Sequence, residues 1–140
     1  MPERQNDPSI NNSERLWRRV HPSQIDWTVN PPRVRKAAFN TRDGLSVSIA
    51  SETTIEILTR DYPEHSVVEF EAGFARSLGC TIERDPTPED PAHALVFGPK
   101  SRGQLNQTQL KNLRDAATLK LYKWPIQETP PSTSSESESY

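Results

Sequence analysis

Residues 66–98 read SVVEFEAGFARSLGCTIERDPTPEDPAHALVFG, and the way this stretch divides decides the fold. Its first third carries two periods. Val67, Phe70, Phe74 and Leu78 recur at three- and four-residue spacing, as on a helix that Gly79 would stop. Val68, Phe70, Ala72 and Phe74 also alternate with Val67, Glu69, Glu71, Gly73 and Ala75, as on a half-buried strand. The paired valines and the Glu-Phe-Glu-Ala alternation favour the strand, because branched and aromatic side chains fit a pleat. Gly73 suits a bulge better than a helix interior, where glycine costs about 1 kcal/mol relative to alanine. The strand is the favoured reading of residues 67–78, with the helix left open as the alternative, and Ser77–Gly79 turns the chain. A second strand follows over Cys80–Arg84 and a third over His93–Phe97, ended by Gly98-Pro99. Between the last two, Asp85-Pro-Thr-Pro-Glu-Asp-Pro91 cannot be strand interior, because each proline removes a ladder donor. The three strands are expected to form an antiparallel meander, with this stiff acidic loop projecting from one end.

Upstream, Arg15–Val20 reads as a strand with Leu16, Arg18 and Val20 on one face and Arg15, Trp17 and Arg19 on the other. His21-Pro22 ends it, and Ile25–Trp27 is expected to pack back on it. Val34–Phe39 is too short for its period to decide its type. Asn40–Gly44 is a turn cluster closing on Asp-Gly, and Leu45–Ala50 then alternates cleanly. Thr53 and Glu56 have capping-box spacing for a short helix to about Arg60, with Ile55 and Leu58 as its buried stripe. Downstream, Asn106 and Gln109 repeat that spacing, and Leu105 and Leu110 flank them as a hydrophobic staple. Leu110, Leu113 and Ala117 line a final helix reaching about Leu121, with Lys120 and Lys123 at its negative end.

The fold class is thus α+β: a small, mainly antiparallel sheet of four to six short strands with two helices, the C-terminal one across the sheet. The chain has 140 residues, only 32% of them hydrophobic, and the deficit lies at the ends. Residues 1–12 and the Ser/Glu/Pro-rich 125–140 hold too little apolar surface to offset their ordering entropy, so both are expected as disordered tails around one domain, 13–124. Seventeen basic and 19 acidic residues leave a net charge of −2, which gives no global field for nucleic acid or an acidic membrane. One cysteine excludes an internal disulfide and fits a reducing compartment. No apolar run approaches the ~20 residues that span a bilayer. The beginning of the chain lacks the apolar core of a signal peptide, so a soluble, cytoplasmic protein is expected.

Glycine-rich phosphate loops, the Gly-x-Ser-x-Gly elbow and the His-Glu-x-x-His pair are all absent from the sequence. Cys80 heads a strand and reads as a buried, inert thiol. Asp85, Glu89, Asp90 and His93 form the one carboxylate–imidazole cluster. It can be a solvated turn, or an acid/base or hard-cation site built around His93. His93 follows a rigid loop and enters a buried strand, so its position is fixed; His21, at a strand end, can face the same cleft, while His65 reads as loop surface. Arg18 and Arg19 can pair with acids or hold an anion in a forked contact. Arg33, Arg35, Lys36, Lys100 and Arg102 would carry nucleic-acid binding as a third reading, but they are dispersed in small clusters and are expected as basic residues of solvated loops.

Leu16-Trp-Arg-Arg-Val-His-Pro22, Ala37-Ala-Phe39 with Asp43-Gly-Leu-Ser-Val47, and Asp85-Pro-x-Pro-x-Asp-Pro-Ala-His-Ala94 together resemble a family of small uncharacterised bacterial proteins. The likeness spans about residues 15 to 100 and implies a compact domain without an assigned activity, so it carries over no catalytic residue. The order of elements is also similar to that of ADP-ribosyltransferase-like folds, including RES-type toxins and RNA 2′-phosphotransferases. That likeness implies a His or Arg on the first strand, where Arg18 or Arg19 stands, and a Tyr or Ser on the second, where Ser46 or Ser48 stands. For the later catalytic acid it offers only Glu69 or Glu71.

Two functions follow as expectations. The first is a non-enzymatic binding or accessory domain that engages a protein partner through Arg18, Arg19, His21 and the loop carrying Asp85, Asp90 and His93, with no cofactor. The second is an ADP-ribosyltransferase-like enzyme acting on NAD or an RNA phosphate, with Arg18, Ser46 and a carboxylate in one cleft.

Overall fold

The computed structural model describes residues 5–121. Eight strands are present among them: β1 Arg15–Val20, β2 Ile25–Asp26, β3 Arg33–Val34, β4 Leu45–Ile49, β5 Ser66–Glu71, β6 Thr81–Arg84, β7 His93–Phe97 and β8 Thr118–Leu121. Three α-helices accompany them: α1 Ile55–Thr59, α2 Ala72–Ser77 and α3 Gln107–Ala116. Six strands make one sheet in the order β6-β7-β4-β1-β5-β8, antiparallel at every pairing; β2 and β3 pair as a separate ribbon. The α+β class and the mainly antiparallel sheet stand as read from the sequence.

Register fixes the two faces. Leu16 opposite Ile49 and Phe70, and Arg18 opposite Val68, place Leu16, Arg18 and Val20 on the buried side. Val47, Ile49, Ala94, Val96 and Ile82 join them there, under Phe39, Leu110 and Leu113. Trp17 and Arg19 point to the opposite, open face, together with Ser46, Ser48, Glu69 and His93.

The stretch that decides the fold divides differently from the expectation. Its strand stops at Glu71, and Ala72–Ser77 is helical, with Gly79 (φ +94°) just beyond as a stop. The cause is long-range. Glu14 and Asn12 offer their carbonyls to the amides of Ala72 and Gly73 at 2.9 and 2.8 Å, satisfying two donors that a helix start leaves orphaned. Gly73 is therefore no bulge but a close approach: a Cβ there would lie 2.8 Å from Asn12 Cβ. Nor do β5, β6 and β7 form a meander. Only β6 and β7 are neighbours, whereas β5 lies between β1 and β8 on the other side of the sheet.

Residues 5–12, expected outside the domain, are held against it. Asp7 N donates to Ile82 O at 2.8 Å, Arg76 grips Asn6 and Asn12, and Ile10 is 2% exposed in the core. The expected tail at 125–140 lies outside the described residues. Ile25–Asp26 pairs with Arg33–Val34 rather than with β1. The α1 cap is Thr54, not Thr53, and its side chain accepts from Ile57 N. The Asn106–Gln109 capping box is present on both sides, with Leu105 and Leu110 buried beside it. The last helix ends at Ala116, because the chain then pairs with β5 as β8.

Candidate functional site

The two central strands part company. β1 and β4 pair only through Leu16–Ile49 and Trp17–Ser48, although β1 runs on to Val20 and β4 begins at Leu45. Arg18 fills the opening from the buried side. Its Nε donates to Ala38 O at 2.7 Å and its Nη1 to Ser46 O at 2.9 Å, in place of a strand partner. Burial first, and the neighbouring Arg19 charge second, pull its pKa down to about 10. Arg19 emerges on the open face, where Nη1 donates to Leu58 O at 3.2 Å and the guanidinium lies 4.0 Å from the Tyr62 ring centre, a cation–π contact. Neither guanidinium forms an ion pair with a carboxylate among the described residues, whereas Arg15, Arg33, Arg84 and Arg102 all do.

The opposite wall is the proline-stiffened loop. Thr87 and Asp90 exchange backbone hydrogen bonds at 3.1 Å, and Asp85 N and His93 N bond within it to His93 O and Asp90 O. The loop is pinned to the sheet twice. Buried Ser48 donates to Asp90 Oδ2 at 2.5 Å. His93 lies between Ser46 Oγ, 3.0 Å from Nε2, and Asp85, whose backbone O and Oδ2 are 2.9 and 3.0 Å from Nδ1. Both neighbours of Nδ1 are acceptors, so Nδ1 carries the proton of the neutral ring and Nε2 presents its lone pair to the Ser46 hydroxyl.

At the near end, His21 Nδ1 accepts from Ser23 N at 3.1 Å, and its ring meets His65 edge-on at 5.6 Å between centres. His65 is not loop surface: it is half-buried, packed edge-on against Tyr62, and its Nδ1 is buried without a well-directed hydrogen bond. Glu64 Oε2 is 3.3 Å from that nitrogen and favours the charged ring, but burial is the larger influence and holds the pKa below the usual imidazole value.

These walls enclose a cleft of about 720 Å³ over the open face, a volume typical of small-molecule sites. Arg18, Arg19, His21, Ser46, Asp90 and His93 all line it, and Asp85 stands behind His93. Ser48, offered by the sequence as the alternative to Ser46, lines it too, whereas Trp17, Gln24, Arg60, Asp61 and Tyr62 were not singled out for it and His65 was expected as loop surface. No local pattern marked these residues as sharing a cleft. Glu69 and Glu71 do not line the cleft. Glu69 is buried and accepts from Arg15 Nη1 at 2.8 Å and Trp17 Nε1 at 2.9 Å, and Glu71 lies 3.5 Å from Arg15. Cys80 is in the core, where burial pushes its thiol up to about 11. No three His, Cys, Asp or Glu among the described residues are grouped to hold a metal ion. The dispersed basic residues are largely engaged locally, Arg33 by Asp115, Arg102 by Asp43 and Lys36 by Gln107.

Compared with known proteins, the chain matches no family model, no curated protein and no solved structure. No helix among the described residues is long and apolar enough to cross a membrane.

Proposed function

We propose that the protein is a ligand-binding domain whose open-face cleft holds a small phosphate-bearing molecule. One observation carries this reading: Arg18 and Arg19 face a single cleft and neither is within ion-pair distance of a described carboxylate, although Asp61, Glu89 and Asp90 also line it, whereas most of the other described arginines are paired. A desolvated guanidinium without a counter-ion is unfavourable unless an anion arrives to use its free donors. A concave, polar cleft of this size suits a nucleotide better than the flat face of a protein partner. The reading places the protein in a reducing, cytoplasmic compartment, where such ligands are abundant.

Calorimetric titration of inorganic phosphate, ADP and NAD tests it. Binding that weakens with salt and falls about tenfold or more in Arg19→Ala is expected. If none of the three binds at millimolar concentration, while a pull-down returns a protein held through His93, the accessory-domain reading takes its place.

A second reading has its own support. Arg19 on the first strand, Ser46 and Ser48 on the strand beside it, and His93 share one face, as the ADP-ribosyltransferase likeness requires of its first two positions. It predicts NAD consumption that stops in Arg19→Ala; NAD bound but unchanged over many hours would remove it.

A further inference from the structure

We infer that Ser46 is a nucleophile, activated by His93 and Asp85, and that the cleft hydrolyses esters of small anionic acids. The inference rests on the anion-binding reading for the charge of its substrate, not for the nucleophile.

Three features support it. The first is connectivity: hydroxyl, imidazole and carboxylate stand in line, with 3.0 Å from Ser46 Oγ to His93 Nε2 and 3.0 Å from His93 Nδ1 to Asp85 Oδ2. A nucleophile, its base and the group that orients the base are recognised by these roles and distances, not by order in the chain. The second is tautomer. Asp85 offers two acceptors to Nδ1, so the lone pair of the neutral ring is held on the serine side. The third is placement. Ser46 is exposed at the floor of the cleft, and Arg18 Nη1 is fixed on the carbonyl of that same residue. Arg18 Nη2 makes no hydrogen bond among the described residues, so a donor beside the nucleophile is left for a developing oxyanion. A serine that served only to tie the loop down would need no such neighbour; Ser48 already does that work through Asp90.

The chemistry balances without a cofactor. Ser46 Oγ bonds to the ester carbonyl carbon as its proton passes to His93 Nε2, and the oxyanion turns to Arg18. The carbon–oxygen bond to the alcohol then breaks, and the alcohol leaves with the proton from His93. Water, deprotonated by the same nitrogen, attacks the acyl-serine; the carbon–Oγ bond breaks, Ser46 Oγ takes that proton back from His93 Nε2, and the acid is released. Asp85 stabilises the imidazolium and touches no reacting atom; it is a positioning residue.

The test uses the full chain with a fluorophosphonate probe, 4-nitrophenyl acetate and the anionic 4-nitrophenyl hydrogen succinate. Peptide mass spectrometry is expected to find the phosphonate on Ser46 and not on exposed Ser77. Labelling should vanish in Ser46→Ala and fall about 100-fold or more in His93→Gln. Asp85→Asn should slow labelling and shift its pH profile, which the loss of a mere loop tie would not do. Circular dichroism shows whether each variant is folded. No label on Ser46, or a label undiminished in folded His93→Gln, overturns the nucleophile even if phosphate binds. A labelled Ser46 that cleaves the acetate as well as the succinate supports the nucleophile and overturns the anionic cleft.

Discussion

Replacing Arg18 by methionine separates binding from folding, and its effect can be worked from three contributions. Burial has brought this guanidinium from the usual arginine range to about 10. At about 1.4 kcal/mol for each tenfold change in proton affinity, that is roughly 3 kcal/mol of desolvation and repulsion from Arg19 together, which methionine removes. Against it, Ala38 O and Ser46 O lose their donors. The Ala38 carbonyl, on a buried residue, costs about 1–3 kcal/mol if left unpaired. The Ser46 carbonyl sits on an exposed residue beside the cleft, where water replaces the lost donor at ~1 kcal/mol or less. Methionine keeps the packing of the arginine stem.

The contributions nearly cancel. Arg18→Met should change stability by no more than about 1 kcal/mol, read as the urea midpoint of tryptophan fluorescence, for a slope of ~1–3 kcal/mol/M. Phosphate affinity, measured by calorimetry on the same samples, should fall tenfold or more. A loss above ~3 kcal/mol with unchanged phosphate affinity would falsify the argument, because Arg18 would then be a structural strut and not the floor of a binding site.

Three further outcomes are expected. Gly73→Ala places a Cβ 2.8 Å from Asn12 Cβ and 2.9 Å from Asn12 O, so it should destabilise the domain by about 1–3 kcal/mol and expose residues 5–12 to proteolysis; equal digestion of variant and wild type would contradict the packed segment. Cys80, buried and with its thiol raised to about 11, should resist a thiol-specific disulfide reagent at pH 8 until denaturant is added; rapid labelling of the native protein would show that the core opens there. For His65 the folded pKa lies below the unfolded one, so the unfolded chain takes up the proton first as pH falls. Its share of stability is complete above about pH 6.5 and declines below that until the folded ring itself titrates. His65→Gln should flatten the urea midpoint between pH 7 and 5, and parallel curves for the two proteins would exclude His65 as the cause.

Much of the fold was written locally. The alternation in Leu45–Ile49 and Arg15–Val20, the proline-bounded His93–Phe97 and the Asn106–Gln109 box each rest on neighbours within a few residues, and each is present in the structure. What failed depends on distant partners. Ala72–Ser77 is helical because Asn12 and Glu14 supply carbonyls from the far end of the chain, and no window of sequence contains that bond. β5 pairs with β1 and β8 because its first five residues are all buried, as in a strand covered on both sides. The Ser-Val-Val-Glu-Phe run carried that sign, but sequence adjacency to β6 outweighed it. Of the site, Arg19, His93 and the loop were legible as unusual chemistry at fixed positions. The bond from Ser46 to His93 was not, since it needs the β4–β7 register that sets Ser48 opposite His93.

A gap between two central strands is a costly thing to build into a small sheet. It strands backbone groups that neighbouring chains would otherwise satisfy. Here the gap is held open by a charge: Arg18 supplies the missing donor to Ser46 and ties it to Ala38 on the buried side. An amide or hydroxyl donor could satisfy one carbonyl without the burial of a cation, so stability alone does not account for arginine at this position. What arginine adds is a forked group with a donor to spare, in a cleft also lined by a second guanidinium, two serines and an oriented imidazole. The sheet thus divides its labour by face. The buried face carries the apolar contacts that hold the domain together, which leaves the open face free to carry the polar groups on which the proposed binding rests.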